Sequence, residues 1–257
     1  VFTMDFCPLI MSEKNLSYFS KLTKMKFLGL RNRMIRNLSY FKGMTKIAEL
    51  ELSGNAISDL TPLENMTEMQ ILNLSCNPSL VDLSPLHKMT NLKKLYISGA
   101  KASGKITINM SITDLSVIKN FTSLELFEAN YSVKLKDVSV LRNCTKLEEV
   151  DLNDCIGLVD VSFLKVCPKM EEVYLENCTQ IKDLSFIKYL KNLKKITIAK
   201  TSADRISISN WNAMLSIESI NSGEGTLPIH KAIVDSIKFR KKITKISKKV
   251  IKEDSGS

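Results

Sequence analysis

The sequence predicts an α/β solenoid, with a curved parallel sheet on its concave side and short helical or 3-10 segments on its convex side. Two observations predict this fold: a unit of mostly 22 or 23 residues recurs along the chain, and each unit has the same two halves. One unit cannot bury its apolar edge alone, so neighbouring units must stack around a shared core. The units are placed at 23–44, 45–66, 67–89, 90–121, 122–144, 145–167 and 168–190, with a partial unit from Lys191.

The first half of each unit follows the pattern L-x-x-L-x-L-x-x-N, as at Leu72, Leu74 and Asn77. Apolar residues alternate there with a period of two, which predicts a short strand whose x residues face solvent. The Asn is expected to satisfy backbone groups between neighbouring turns. Asn55 and Asn77 keep it, and in other units its place is taken by Ala100, Ser132, Cys155, Cys178 and Thr201.

The second half of each unit begins with Ser or Thr, as at Ser39, Thr61 and Ser139. The side-chain oxygen of such a residue can accept a hydrogen bond from a free backbone N–H at a helix start, so these residues are expected to cap a helical segment. Pro62 and Pro85 follow directly, in the first turn, where a missing N–H costs nothing. Each unit is therefore predicted to be strand, turn and short helical or 3-10 segment.

These motifs resemble the leucine-rich-repeat family. The D-L-S/T-P-L step at 59–63, together with the short unit, resembles the type found in internalins and in the leucine-rich regulatory subunit of protein phosphatase 1. The resemblance covers roughly residues 12–200 and implies a solenoid that binds another protein on its concave face. It also implies that Cys is an accepted substitute for the Asn of the pattern. The motif residues are structural, so they identify no partner.

Three regions are expected along the chain. Residues 1–22 are predicted to form a degenerate N-terminal repeat or cap, residues 23–200 the solenoid, and residues 201–257 a C-terminal cap with a basic amphipathic helical tail. The net charge of +10 is concentrated in that tail, because residues 238–257 carry eight Lys or Arg and two acids. The tail is expected to pack on the solenoid, with nucleic acid or an anionic membrane as alternative partners. Its basic residues are Lys238, Arg240, Lys241, Lys242, Lys245, Lys248, Lys249 and Lys252.

No pattern in the sequence indicates an enzyme. The chain has two histidines, His87 and His230, and neither lies in a nucleophile, zinc or phosphate-binding motif. His87 is expected at the surface. We therefore predict a non-enzymatic scaffold or regulatory subunit with no cofactor, no metal and no small-molecule substrate.

The x residues of the strands reveal an acidic region on the expected concave face. Three adjacent units, 122–144, 145–167 and 168–190, place nine carboxylates and two tyrosines there, flanked by rows of lysine. We predict that this region binds a basic segment of a partner protein. A solvated charged face is the alternative, and a calcium site would lack a recognisable loop. The predicted binding residues are Glu125, Glu128, Tyr131, Glu148, Glu149, Asp151, Asp154, Glu171, Glu172, Tyr174 and Glu176.

An insertion interrupts the repeat at 101–111. It alternates polar with apolar residues, so it is expected to add a strand or a projecting loop. Insertions in solenoids often lie on the binding face. A harmless irregularity of the repeat is the other interpretation.

The compartment is predicted from the cysteines. Four of the six occupy repeat positions, which favours reduced packing thiols in an intracellular protein. No apolar run approaches the roughly 20 residues that a bilayer requires, and the first residues do not resemble a signal peptide. Several N-x-S/T sequences are attributed to the repeat itself. The alternative is a secreted or surface adhesin of the internalin kind.

Overall fold

Short parallel strands, one per repeat unit, form the backbone of the fold. The computed structural model describes residues 13–102, 105–108, 110–202 and 219–221. In these ranges β1 to β11 span Phe27–Gly29, Glu49–Glu51, Ile71–Asn73, Lys94–Tyr96, Ala100–Ala102, Lys105–Ile108, Leu126–Glu128, Glu149–Asp151, Glu172–Tyr174, Lys195–Thr197 and Ser219–Asn221. Nine of them form one sheet in the order β1-β2-β3-β4-β7-β8-β9-β10-β11, with parallel neighbours, and β5 and β6 form a separate antiparallel pair.

The segments that return from one strand to the next are almost all 3-10 turns. One five-residue α-helix, Glu13–Ser17, precedes them. The 3-10 segments span Tyr18–Lys21, Ser39–Phe41, Thr61–Leu63, Ser84–Lys88, Ser116–Asn120, Ser139–Asn143, Ser162–Val166 and Ser185–Tyr189. The predicted solenoid, with its parallel sheet and short helical returns, is therefore confirmed. Among the described residues, no helix combines the length and apolar content needed to cross a bilayer.

A continuous apolar core lies between the sheet and the 3-10 segments. In β2, β3, β4, β7, β8 and β9 the middle residue, such as Leu72 or Val150, is fully buried, whereas its two neighbours in the strand are half-buried or exposed. Leucines and phenylalanines of the 3-10 segments, such as Leu141 and Phe163, close the core from the other side. This burial removes apolar side chains from water at every unit, which is what makes the stack stable.

The structure corrects the predicted capping of the 3-10 segments. Ser or Thr is the first residue of the seven segments from Ser39–Phe41 onward and makes no side-chain cap. Instead its backbone N–H donates to an Asp or Asn two residues earlier, as from Thr61 to Asp59 and from Ser139 to Asp137, both at 2.8 Å. This bond lowers the pKa of the Asp137 carboxyl. The acid therefore caps the turn, because its side chain reaches the free N–H that follows it.

The predicted Asn ladder is confirmed in the core. Asn55 accepts hydrogen bonds from the backbone of the preceding turn and donates to carbonyls of both turns. In later units Cys155 and Cys178 donate instead to the carbonyls of Ala129 and Leu152, at 3.3 and 3.0 Å. Ser132 occupies the same place, but its buried hydroxyl has no hydrogen-bond partner. The ladder is therefore interrupted at Ser132, and also at Ala100, which has no polar side chain.

The predicted boundaries at residues 22 and 200 remain predictions. Residues 1–12 and most of 201–257, including the basic tail, lie outside the described residues. Within 201–257, Ser219–Asn221 pairs in parallel with β10 and adds a strand to the main sheet.

Candidate protein-binding surface

The sheet register aligns the predicted acidic residues in rows. On the exposed face, Glu149 of β8 lies opposite Glu172 of β9, and Asp151 lies between Glu128 of β7 and Tyr174 of β9. Neighbouring strands are roughly 4.8 Å apart, so these side chains are lateral neighbours. The structure thus brings five of the predicted residues together on consecutive strands.

The other six predicted residues border these rows. Glu125, Glu148 and Glu171 each precede a strand by one residue, and Glu176 follows β9 by two residues. The remaining two, Tyr131 and Asp154, belong to the turns that follow β7 and β8. We call the full set of eleven the acidic surface: Glu125, Glu128, Tyr131, Glu148, Glu149, Asp151, Asp154, Glu171, Glu172, Tyr174 and Glu176.

Two residues at one edge of the acidic surface have a left-handed backbone conformation. Tyr131 and Asp154 occupy equivalent positions in their units and have φ angles of 59° and 57°. This conformation costs roughly 1–2 kcal/mol for a residue other than glycine. It lets the chain leave each strand sharply, so that both side chains stand at the border of the strand rows. The same conformation recurs at Gly54, Cys76 and Asn177, each directly before the ladder residue of its unit.

The carboxylates repel one another. Burial is the largest cause that raises the pKa values of Glu128, Glu149 and Asp151, and neighbouring acids add to it. For Glu149 those neighbours include Glu172. Asn130 joins two acids of one row, since its amide donates to Glu128 at 3.2 Å and to Asp151 at 3.0 Å. The arrangement favours the approach of a cation, because like charges side by side are destabilising.

Two lysines of this chain already contact tyrosines and carboxylates of the acidic surface. Lys195 lies over the Tyr174 ring, 4.7 Å from its centroid, and donates to the Tyr174 hydroxyl at 2.9 Å. That hydroxyl in turn donates to Glu172. A cation above a tyrosine ring is attracted by the negative face of the ring. The repeat pattern predicts that these residues share one face, but it does not predict this contact.

The insertion provides the second lysine. Its strands β5 and β6 form a hairpin, which confirms the expectation of an added strand. Lys101 of β5 forms a 3.2 Å ion pair with Asp154 and lies 5.8 Å from the Tyr131 ring centroid. Gly99 permits the close fit, since a Cβ there would lie 2.2 Å from the carbonyl oxygen of Ile108. The hairpin therefore borders the acidic surface.

Five cysteines and one histidine lie within the described residues, outside the acidic surface. Cys76, Cys144, Cys155, Cys167 and Cys178 are free thiols, while Cys7 lies outside the described residues. Burial raises the pKa of Cys144 and of Cys167 to about 12, so these thiols stay protonated and pack in the core. Where the structure describes the chain, no group of three or more His, Cys, Asp or Glu is placed to hold a metal ion. His87 is exposed, as expected, and His230 is not described.

Comparison with known proteins supports the fold. No protein-family model matches the sequence, and no curated protein matches it. Solved structures do. An internalin, InlF, of Listeria monocytogenes is similar with a TM-score of 0.69 at 23% identity, over 80% of this chain and 56% of that one. Internalin C2 of the same organism has a TM-score of 0.66 at 19% identity, over 81% and 92% of the two chains.

A third similar structure is the leucine-rich-repeat domain of the type III effector XCV3220 (XopL), with a TM-score of 0.63 at 15% identity, over 81% of this chain and 72% of that one. This chain thus spans little more than half of InlF and nearly all of internalin C2. The resemblance to the phosphatase regulatory subunit stays a prediction. Together, the repeat, the parallel sheet and these three structures identify the chain as a leucine-rich-repeat solenoid.

Proposed function

We propose that this chain is a non-enzymatic scaffold that binds a partner protein on its exposed strand face, and that the acidic surface holds a basic segment of that partner. One observation carries the proposal: in-register acids on β7, β8 and β9 are interleaved with tyrosines that already accept lysine side chains. Tyrosine is enriched in protein interfaces, and a complementary charge steers association.

The arrangement of the acidic surface favours binding of a protein segment over binding of a metal ion. Its carboxylates are spread along rows and are partly engaged by Asn130, Lys101 and Lys194. The described residues do not converge on one point as a metal site would require. A peptide with several Lys or Arg residues can instead contact several strands at once. Such contacts are weakened by salt, so the ionic strength of the assay must be fixed.

The test measures binding of a fluorescent Lys/Arg-rich peptide of about ten residues, long enough to cross the sheet at roughly 3.3 Å per residue. The test variant carries Glu149→Lys and Glu172→Lys. Because close charge pairs at interfaces contribute more than about 1.4 kcal/mol, we expect binding to weaken more than about tenfold. Fluorescence anisotropy at about 0.15 M salt gives the dissociation constants.

A matched control distinguishes an effect of the acidic surface from an effect of the net charge of the protein. Glu64→Lys and Glu68→Lys change the charge by the same amount, and both residues lie outside the strand rows. Their ion pairs, with Lys88 and Lys46, are exposed and contribute little to stability. This control is expected to bind the peptide nearly as the unaltered chain does. Equal weakening in both variants would contradict a specific surface.

The other functional predictions stay open. The similar structures include internalins and an effector, so they favour neither an intracellular scaffold nor a secreted adhesin. The basic tail that was expected to contact the solenoid, nucleic acid or a membrane lies outside the described residues.

A further inference from the structure

A hollow of about 820 Å³ lies on the same strand face as the acidic surface, toward the N-terminal end of the sheet. We call it the N-terminal hollow. Its volume is within the range of sites that bind ligands, and most of the residues that line it are charged or polar. The hydrogen bonds and charges of these side chains therefore decide which ligand fits. The polar residues concerned are Arg31, Asn32, Arg33, Glu49, Glu51 and Asn73.

Arg33 occupies the ladder position of the first full unit. Asn32, directly before it, has a φ of 57°, the left-handed conformation that also lies directly before Asn55 and Asn77. The Arg33 side chain is buried, with 4% of its surface exposed, and it lines the hollow. Its Nη1 lies 3.5 Å from the carbonyl oxygen of Asn32, and its Nη2 has no hydrogen-bond partner. A buried donor at the hollow is therefore left unpaired.

The unpaired guanidinium of Arg33 requires a hydrogen-bond acceptor. An arginine side chain stays charged in proteins and has only donors, so no change of protonation can relieve it. A charge taken out of water without a partner destabilises the folded state. Among the described residues, the ion pairs are those of four lysines, and none involves Arg31 or Arg33. Arg33 thus has unused capacity to bind an anion.

The two glutamates of the hollow do not supply that anion. Both oxygens of Glu51 are engaged, since Oε1 accepts the backbone N–H of Ser53 at 2.7 Å and Oε2 accepts the amide of Asn73 at 2.8 Å. Glu49 is exposed, so water solvates its carboxylate. The unmet requirement in the hollow is therefore for a negatively charged acceptor and not for a cation.

The charge around the hollow also favours an anion of low charge. Arg31 is exposed and lines the hollow together with Arg33, and a guanidinium can hold a carboxylate through two parallel hydrogen bonds. A doubly charged phosphate would be repelled more strongly by Glu49 and Glu51 than a singly charged carboxylate. The unit at 23–44 has no Asp or Glu, and its six basic residues are Lys24, Lys26, Arg31, Arg33, Arg36 and Lys42.

We propose that the N-terminal hollow binds a carboxylate held by Arg33 and Arg31, and that an Asp or Glu side chain of a protein partner supplies it. This site goes beyond the proposed function, because it prefers the opposite charge and needs no contact with the acidic surface. A partner that used both places would present an acidic residue to the N-terminal end of the strand face and basic residues to the three strands β7, β8 and β9.

Nuclear magnetic resonance titrations of the full chain test the inference. The probe is a glutamate with an acetylated amino group and an amidated α-carboxyl group, so that only its side chain is charged. Capped glutamine is the uncharged match, and inorganic phosphate is the more highly charged anion. The Nε–H signal of Arg33 and the backbone amide signals of residues 31–33 report on the site and give the dissociation constants.

Three protein variants accompany the titrations. Arg33→Gln removes the buried guanidinium, and Arg31→Gln removes the exposed one without altering the core. Arg36→Gln is the matched control, because Arg36 is an exposed arginine of the same unit that does not line the hollow. All three change the net charge by the same amount.

We expect capped glutamate to bind at least about tenfold more tightly than capped glutamine, because hydrogen bonds between charged groups are the strong ones. Arg33→Gln and Arg31→Gln should each weaken its binding by about fivefold or more, and Arg36→Gln by less than about twofold. Without the probe, Arg33→Gln should leave the urea midpoint unchanged or raise it, because the substitution removes an unpaired buried charge.

Each other result would overturn the inference in a different way. If capped glutamate binds no better than capped glutamine, or neither binds, the carboxylate site is refuted, and the acidic surface is unaffected. Tighter binding of phosphate would refute the assigned ligand. Equal weakening in all three variants would mean that only net charge matters. A clear fall of the urea midpoint in Arg33→Gln without the probe would show that Arg33 has a structural role and is not an unpaired donor.

Discussion

The substitution Asn55→Ala tests whether the buried Asn ladder joins neighbouring units. The Asn55 side chain is 6% exposed. Its oxygen accepts the backbone N–H groups of Arg33 and Ile35, each at 3.0 Å, and its amide donates to the carbonyls of Leu30 at 2.9 Å and Leu52 at 2.8 Å. The amide also donates to the carbonyl of Ser53 at 3.3 Å, which keeps a second bond from the N–H of Asn32 at 2.9 Å. One side chain therefore bonds to five backbone groups of two adjacent units.

The cost of this substitution follows from the groups that lose their partner. The carbonyl of Leu52 keeps a bond from the amide of Asn77 at 3.1 Å, which leaves three groups unsatisfied. An unsatisfied buried backbone group costs about 1–3 kcal/mol. Because alanine leaves a space that water can enter, we take the lower end and expect the free energy of unfolding to fall by about 3 kcal/mol. That is a large part of the roughly 5–15 kcal/mol typical of a folded domain.

Urea unfolding measures the loss, and hydrogen exchange locates it. We expect the amides of Arg33 and Ile35 to exchange faster in the Asn55→Ala protein, since they lose their acceptor. Asn143→Ala is the control, because that exposed side chain bonds only to the carbonyl of Val140; it should change stability by less than about 0.5 kcal/mol. A loss below about 1 kcal/mol for Asn55→Ala, or unchanged exchange at both amides, would refute the ladder as a stabilising element.

Three further results are expected. Ser132→Cys should raise the free energy of unfolding by about 1 kcal/mol, because cysteine reaches a carbonyl in the two following units and the Ser132 hydroxyl does not; an unchanged urea midpoint would contradict this. The pKa of Glu149 is raised, first by burial and then by the charge of Glu172. Between the usual and the raised pKa the folded chain therefore binds more protons than the unfolded chain, and its free energy of unfolding rises as pH falls through that window. Glu149→Gln should therefore raise the free energy of unfolding by about 0.2–1 kcal/mol at neutral pH and give no such gain at about pH 4. Thermal unfolding measured across pH checks this, and a gain that does not change with pH would contradict it. Lys101→Ala removes the lysine that pairs with Asp154 and lies near Tyr131, so fluorescence anisotropy should show about twofold to fivefold tighter binding of a basic peptide. Weaker binding would mean that Lys101 itself contributes to binding the partner.

Most of the fold could be predicted because the repeat encodes it locally. Strand residues such as Leu72 and Leu74 alternate with a period of two, and one unit repeats the next, so a stack of parallel strands is the arrangement that buries every unit. The capping prediction was wrong because Ser139 and Asp137 both carry oxygens that can cap a turn. Which oxygen meets the free N–H depends on where the first turn begins, and sequence patterns place such boundaries poorly.

The acidic surface shows what sequence and structure each contribute. Counting along the repeat was enough to put Glu128, Asp151 and Tyr174 on one face, since units of equal length carry equivalent residues to equivalent places. The contacts of Lys101 with Asp154 could not be predicted, because these residues are two units apart and meet through the hairpin of the insertion.

The sequence alone thus determined the unit, its strand and the direction in which each strand side chain points, because these follow from periods of a few residues. Only the tertiary structure decided which Lys lies over which Tyr, which buried polar group goes unpaired at Ser132, and where the open hollow beside Ile71 lies. Those outcomes depend on distances between units, and such distances are set by packing of the whole stack rather than by any local pattern.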